Sequence, residues 1–434
     1  MARTTTKTAG ATRAGLRRAA AVALSAAVLA ALDATGAVAA PPAPAGPDIA
    51  GVRAALERTL GAGAPGAFAV IHERGGNGGD SSVAVGKADL DGTPMNADWR
   101  FRVGSNTKMF TSVLLMRLVE QGRVDLDGRL RDYLPSGTLP EGWDMTVRQV
   151  MQHRAGIYDH TNDLLEQPGE ETTEAFEKRI RDTVYRPADL VAMSVRHGVQ
   201  YPPGSRYAYS NTDYVLLGMA VEHVTGRPYA ESLREQVIEP LGLSRTSFVV
   251  PEKGIAGPHI TGYLTNDDRS RPLLDSTEQN GSWIWSAGAV VSSAHDMDRF
   301  LTAVLAGDSG GLVSDASVRL MTSALPTTTA GTGYGLGLRE IALSCGKVYG
   351  HGGIVQGYQT QSFATRDGRR TVVVFANASN NGAVTQGLMN TLEPAFCGPA
   401  KPAGKTGVAP RANGPGGRER PAAPRVPVVD DTRL

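Results

Sequence analysis

The sequence predicts an α/β fold: strands from both chain ends join one antiparallel sheet, helices flank it, and a helix-rich lobe stands beside it. Three observations carry this expectation. Short apolar runs at 67–72 and 82–85, separated by the turn-forming stretch GGNGGD, read as strands near the N-terminus. Two further runs, 358–365 and 371–376, flank Asp367-Gly368, a strong hairpin signal. Between these ends, to about residue 250, apolar residues recur mostly at helical spacing, as over 146–153 and 211–224.

In chain order, the first segment stands apart from that fold. Arg3, Lys7, Arg13, Arg17 and Arg18 precede an uncharged run over 19–32, and Ala37-Val38-Ala39 supplies small residues for a peptidase. This order reads as a secretory signal peptide over 1–39, cleaved near Ala39, and the product is expected to be secreted and extracellular. The apolar run is shorter than the roughly 20 residues of a spanning helix, and no later run approaches that length, so no transmembrane segment is expected. A first helix opens with Ile49, Val52, Leu56 and Leu60, and a longer one covers 105–121 before Gly122 stops it. Residues 347–349 are strand-like, and a last helix covers 383–396. From Gly398 onward Pro, Gly, Ala and Arg dominate, a composition too poor in large apolar groups to offset its ordering entropy. The expected organisation is a signal peptide (1–39), one domain (47–397) and a disordered tail (398–434), acting as a monomer.

Composition excludes some partners. A formal net charge of +1 across 434 residues leaves no electrostatic footprint for nucleic acid. The two cysteines, Cys345 and Cys397, are most simply read as one disulfide in an exported chain. In the chain-entropy account, the loop of about fifty residues makes it worth on the order of 3–4 kcal/mol.

Chemistry enters with three short motifs. Ser105 and Lys108, three residues apart, share a helical face. A serine hydroxyl needs a base beside it, and a lysine amine qualifies once burial or a cationic neighbour lowers its pKa. A helix start at Ser105 would also aim backbone N–H groups at developing negative charge. Tyr209-Ser210-Asn211 follows a Pro-Pro-Gly turn; the tyrosine can pass a proton, and the asparagine can hold the lysine or a substrate carbonyl. Gly350-His351-Gly352-Gly353 would let a substrate backbone approach a strand closely, with His351 as proton donor or positive charge. A cleft between sheet edge and helical lobe is where these would meet. His153, His160, Asp159 and Asp163 match no common zinc spacing and read as helix-end histidines with neighbouring acids; no metal or cofactor is expected.

Ser-x-x-Lys, Tyr-x-Asn and His-x-Gly in this order resemble the three motifs of the penicillin-recognising serine hydrolases. The likeness extends over FRVGSNTK (101–108), TVRQVMQHRAG (146–156), DSTEQ (275–279), SAGA (286–289), YGLGLR (334–339) and the cysteine spacing. These segments resemble the serine-type D-alanyl-D-alanine carboxypeptidases of Streptomyces, from about residue 47 to Cys397. The resemblance implies a β-lactamase/transpeptidase-like fold and an acyl-enzyme on Ser105. It implies proton shuttling by Lys108 and Tyr209, with the true base left open, and a place for Asn211 on the lysine or substrate. His351 stands where other members carry lysine. The backbone N–H groups of Ser105 and Ile354 would form the oxyanion hole, Gly353 closes the third motif next to that donor, Trp283 and Gln356 match cleft-lining positions, and Arg339 matches the residue receiving a substrate's terminal carboxylate. Gly352 and Ile354 replace threonines of the close relatives that help the arginine grip that carboxylate, and Leu165 replaces a cleft-lining phenylalanine. Acylation is expected to survive these changes, and strict selection for a free carboxylate is not. The class A β-lactamase deacylation glutamate has no matching motif, so β-lactams are expected as inhibitors.

The leading expectation is a carboxypeptidase acting on peptidoglycan stem peptides. Two others stand beside it: an esterase, D-amino-acid amidase or endopeptidase taking small D-amino-acid peptides or esters, and a penicillin-binding sensor without turnover.

Overall fold

The computed structural model describes residues 46–75 and 79–399, all within the unit Pro44–Leu434. The segment read as a signal peptide, and the tail beyond Pro399, lie outside the described residues.

Eight strands build the main sheet: β1 (Gly66–Glu73), β2 (Ser81–Gly86), β3 (Leu325–Pro326), β4 (Thr332–Tyr334), β5 (Arg339–Leu343), β6 (Gly346–Val355), β7 (Tyr358–Thr365) and β8 (Arg370–Ala376). Their order is β2-β1-β8-β7-β6-β5-β4-β3, antiparallel between all neighbours. The two chain ends meet where β1 pairs with β8, Phe68 opposite Phe375. The β7–β8 hairpin turns at the expected Asp367-Gly368: Gly368 adopts φ +65°, and the Asp367 carboxylate accepts from the Thr365 hydroxyl at 2.6 Å.

Alternation along the strands explains the layering. Phe68, Val70, Val373 and Phe375 face one core, and Ala67, Ala69, Ile71, Val372 and Val374 face another. A sheet buried on both faces reads as a continuous apolar run, which is why 371–376 carries no polar alternation after Thr371. Helices α1 (Ile49–Gly61), α2 (Thr107–Glu120), α3 (Val147–Met151), α4 (Asn211–Thr225), α5 (Ala294–Leu305) and α6 (Gly382–Cys397) divide between these faces. Val52 and Leu56 of α1 join Leu388 and Leu392 of α6 on one side. Residues of α2, α4 and α5 form the larger core on the other, where Phe110 stacks on Phe300 with ring centres 3.7 Å apart. No helix among the described residues is long and apolar enough to cross a membrane.

Three details differ from the sequence expectation. Ser105 lies in a 3-10 turn, Gly104–Asn106, and α2 begins after it at Thr107. The strand foreseen at 347–349 runs ten residues, straight through the glycines to Val355. Arg339 opens a strand of its own, paired with Gly350. Because β5 starts there, residues 351–355 have β7 on one side and no strand on the other among the described residues.

Cys345 and Cys397 form the disulfide, tying the β5–β6 turn to the end of α6 across 52 residues. Replacing both by alanine is expected to lower unfolding free energy by about 3–4 kcal/mol, read from urea melts of oxidised protein. An unchanged melt would show that α6 packing alone holds this end.

Candidate active site

The 3-10 turn carrying Ser105 is wedged against β6, and two glycines make that approach possible. Gly104 adopts φ +53°, and a Cβ there would stand 2.8 Å from the Ile354 nitrogen. A Cβ on Gly353 would stand 2.0 Å from the Val103 carbonyl oxygen. Backbone cannot yield as a flexible side chain does. Gly353→Ala should therefore destabilise the fold by about 1–3 kcal/mol and lower Ser105 acylation at temperatures where the variant stays folded. Thermal melts beside labelling rates measure both, and an active, fully stable variant would mean the strand can move away.

On Ser105 converge the residues that the motifs singled out. The Ser105 Oγ lies 3.1 Å from Lys108 Nζ and 2.7 Å from the Tyr209 hydroxyl. Lys108 is fully buried, and its Nζ also lies 2.7 Å from Asn211 Oδ1 and 3.0 Å from the Ala287 carbonyl oxygen. Burial holds the amine well below its ordinary pKa; Asp159 opposes this, and Arg339 adds to it. A neutral amine has two N–H donors, which Asn211 and Ala287 accept, leaving its lone pair toward the serine hydroxyl. Tyr209 is half-buried, and burial pushes its phenol up, with Arg339 pulling partly back. It stays protonated and donates to Ser105.

His351 is fully buried, its Nε2 lying 2.9 Å from the Tyr334 hydroxyl. Burial first, then Arg339 and Lys108, push its pKa well below the ordinary value. The imidazole is therefore neutral at neutral pH, and the positive charge anticipated there belongs to Arg339 instead. The Arg339 guanidinium lies over the Tyr209 and Tyr334 rings, 5.5 and 5.8 Å from their centres. Gly352 sits beside Gln361, whose side chain would meet an added Cβ at 2.6 Å. Trp283 and Gln356 are buried, at 0% and 1% exposed, and present no open surface to the cleft. Leu165 and Ile354 share a cavity of about 270 Å³ with Glu166, Arg269, Asn381 and Thr385.

Other contributors escaped the motif reading. Asp159 Oδ2 accepts from both the backbone and side-chain nitrogens of Asn211, at 3.0 and 2.9 Å, and so orients the amide that holds Lys108. His160 contacts the Thr212 hydroxyl at 2.9 Å and the Trp283 carbonyl at 2.8 Å. His153 and Asp213 form a buried pair, Nδ1 to Oδ2 2.9 Å. Histidines at helix ends were foreseen; their burial behind the site was not. Among the described residues no group of three or more His, Cys, Asp or Glu side chains is arranged to hold a metal ion.

Against known proteins, the family model described as Beta-lactamase matches residues 52–393. The chain belongs to this family. It is accordingly a serine hydrolase of the β-lactamase and penicillin-binding-protein superfamily, and its sheet, flanking helices and helical lobe are that family's fold. Among solved structures it is similar to a D-stereospecific amidohydrolase from a Streptomyces species, with 32% identity and a TM-score of 0.71, over 82% of this chain and 100% of that one. It is also similar to a D-amino acid amidase from Ochrobactrum anthropi SV3, with 27% identity and a TM-score of 0.68, over 80% of this chain and 97% of that one. A D-aminopeptidase of Cereibacter sphaeroides is 30% identical over 305 residues, 68% of this chain and 54% of the relative. The chain spans about half the length of several curated relatives it matches.

Proposed function

We propose that this family member hydrolyses amide bonds at D-amino-acid residues through an acyl-enzyme on Ser105, as an amidase or aminopeptidase-type enzyme. The carrying observation is the buried constellation of Lys108, Tyr209 and Asn211 around Ser105 Oγ, on a chain similar over most of its length to D-directed amide hydrolases. Lys108 takes the hydroxyl proton as Oγ attacks the carbonyl carbon. Backbone N–H groups of Ser105 and Ile354 receive the oxyanion, and each such donor is worth about two to three decades in rate. The Tyr209 hydroxyl then passes its proton to the departing amine and regains one from the Lys108 ammonium, so both groups return to their neutral forms. Water releases the acyl group in a second step, the same pair taking its proton and returning one to Ser105 Oγ. No step calls for a metal or cofactor.

The carboxypeptidase reading on peptidoglycan stems keeps the segment resemblance, relatives described as putative D-alanyl-D-alanine carboxypeptidases, and one structural feature, the Arg339 guanidinium over the Tyr209 ring. The amidase reading is favoured because Gly352 and Ile354 give that guanidinium no hydroxyl with which to share a terminal carboxylate. A non-turning sensor has no support from the complete Ser105, Lys108, Tyr209 and Asn211 set. The chemistry of segment 1–39 and the disulfide both suit an exported protein, with β-lactams as covalent inhibitors.

The test compares a D-amino-acid amide, its L-enantiomer and a peptide ending in free D-Ala-D-Ala. Turnover of the D-amide well above both others supports the proposal. Preference for the free-acid peptide would restore the carboxypeptidase reading, and labelling by penicillin without any turnover would favour the sensor.

A further inference from the structure

His153 stands in the left-handed region, at φ +55°, two residues beyond α3, and is fully buried. A non-glycine residue there is uncommon, though histidine is among the types that adopt it. Such a backbone costs on the order of 1–3 kcal/mol and persists only where surroundings over-determine it. Here the conformation turns both the carbonyl and the ring of His153 toward one short segment. Its carbonyl accepts from the Ala208 N–H at 2.9 Å, and its Nδ1 accepts from the Ser210 N–H at 3.3 Å. These two amides bracket Tyr209. The ring itself lies 4.3 Å, centre to centre, from the Tyr209 ring.

The second contact bears on the tautomer of His153. A backbone N–H can only donate, so the Nδ1 that receives it carries no hydrogen. Asp213 Oδ2, 2.9 Å from the same Nδ1, then bonds to it only as a protonated acid. Independent support comes from its surroundings. Asp213 is 1% exposed, and burial, with Asp159 nearby, pushes its pKa well above the ordinary carboxyl range, while Lys108 opposes this. Burial, together with Lys108, His351 and Arg339, keeps His153 neutral as well.

We propose that His153, held by a protonated Asp213, is a positioning residue that sets the Tyr209 hydroxyl on Ser105 Oγ. The inference rests on the reading of Tyr209 as the proton-transferring group. A neutral acid at 213 also leaves no carboxylate there to stabilise the ammonium form of Lys108.

A double-mutant cycle on the full chain tests it, reading the rate of fluorescent-penicillin acylation together with kcat and KM for a D-amino-acid amide. Tyr209→Phe is expected to slow acylation by about 10²- to 10⁴-fold. His153→Asn, which tolerates the left-handed backbone, is expected to lower kcat by about 10- to 100-fold with little change in KM. In the double variant His153→Asn should add nothing to Tyr209→Phe. Loss by the same factor on both backgrounds, or no loss in the single variant, overturns the inference while leaving Tyr209 in its role. An unaffected Tyr209→Phe enzyme overturns both. As a second arm, Asp213→Ala should reproduce the His153→Asn loss, and Asp213→Asn, whose amide still donates to Nδ1, should restore most of it. Equal loss in both Asp213 variants, with unchanged melting temperatures, removes the protonated acid from the scheme.

Discussion

Replacing Ser105 by alanine should abolish covalent labelling by a fluorescent penicillin and lower amide turnover by about 10⁵- to 10⁶-fold. The expectation follows from the convergence of Lys108 and Tyr209 on one oxygen atom: with Oγ gone, neither has a proton to take or a nucleophile to serve. Lys108→Ala should lose nearly as much, and the double variant should be no slower than Ser105→Ala alone, because the two side chains act as a unit. The pH profile adds a signed prediction. Lys108 works only as a neutral amine, so acylation should rise with pH through its pKa, and burial places that rise well below the ordinary lysine range. Mass spectrometry of the penicillin adduct and stopped-flow rates across pH give both measurements. Persistence of a label on the Ser105→Ala chain would move the nucleophile elsewhere. An acid limb at the ordinary lysine value would mean the amine is not desolvated.

The site was legible in the sequence where chemistry and order coincide, and obscure where it depends on backbone contact. Ser105 with Lys108, Tyr209 with Asn211, and His351 could be named because the three motifs arrive in the order that resembles the penicillin-recognising serine hydrolases, whereas Ser-x-x-Lys spacing alone arises readily by chance. The terminal strands were equally visible, since apolar runs bounded by Gly and Asp at 367–368 leave little choice of local structure. The extension of β6 through Gly350, Gly352 and Gly353 was not visible. Glycine weakens a strand by propensity, and only the approach of the Val103 carbonyl explains why one is needed at 353. The His153–Asp213 pair was hidden for a different reason. Its members are 60 residues apart, and no local spacing joins them. Asn211 had two roles open to it; a 2.7 Å contact places its oxygen on Lys108.

Substrate choice should turn on two positions of β6, Gly352 and Ile354, that follow the strand partner of Arg339. Introducing hydroxyls with Gly352→Thr and Ile354→Thr is expected to shift the ratio of free-acid to amide turnover toward the acid by about 10- to 100-fold. That range corresponds to the net gain of one hydrogen bond to a charged group, about 1.5–3 kcal/mol. Both sites lie on the stretch of β6 that has no strand beside it beyond Gly350, where an extended substrate would pair. At 352 the added Cβ meets only the end of the Gln361 side chain, which can turn aside, whereas at 354 the exchange removes apolar volume. The backbone N–H of residue 354 is retained in either case, so acylation by penicillin should remain within a few-fold of the parent. Arg339→Ala in the double variant should then erase the gain, because the hydroxyls act by sharing a carboxylate with the guanidinium. Matched D-Ala-D-Ala peptides with free and amidated C-termini provide the ratio. If the double variant keeps the parental ratio, the carboxylate is read by another group, and neither Gly352 nor Ile354 accounts for the preference of this enzyme.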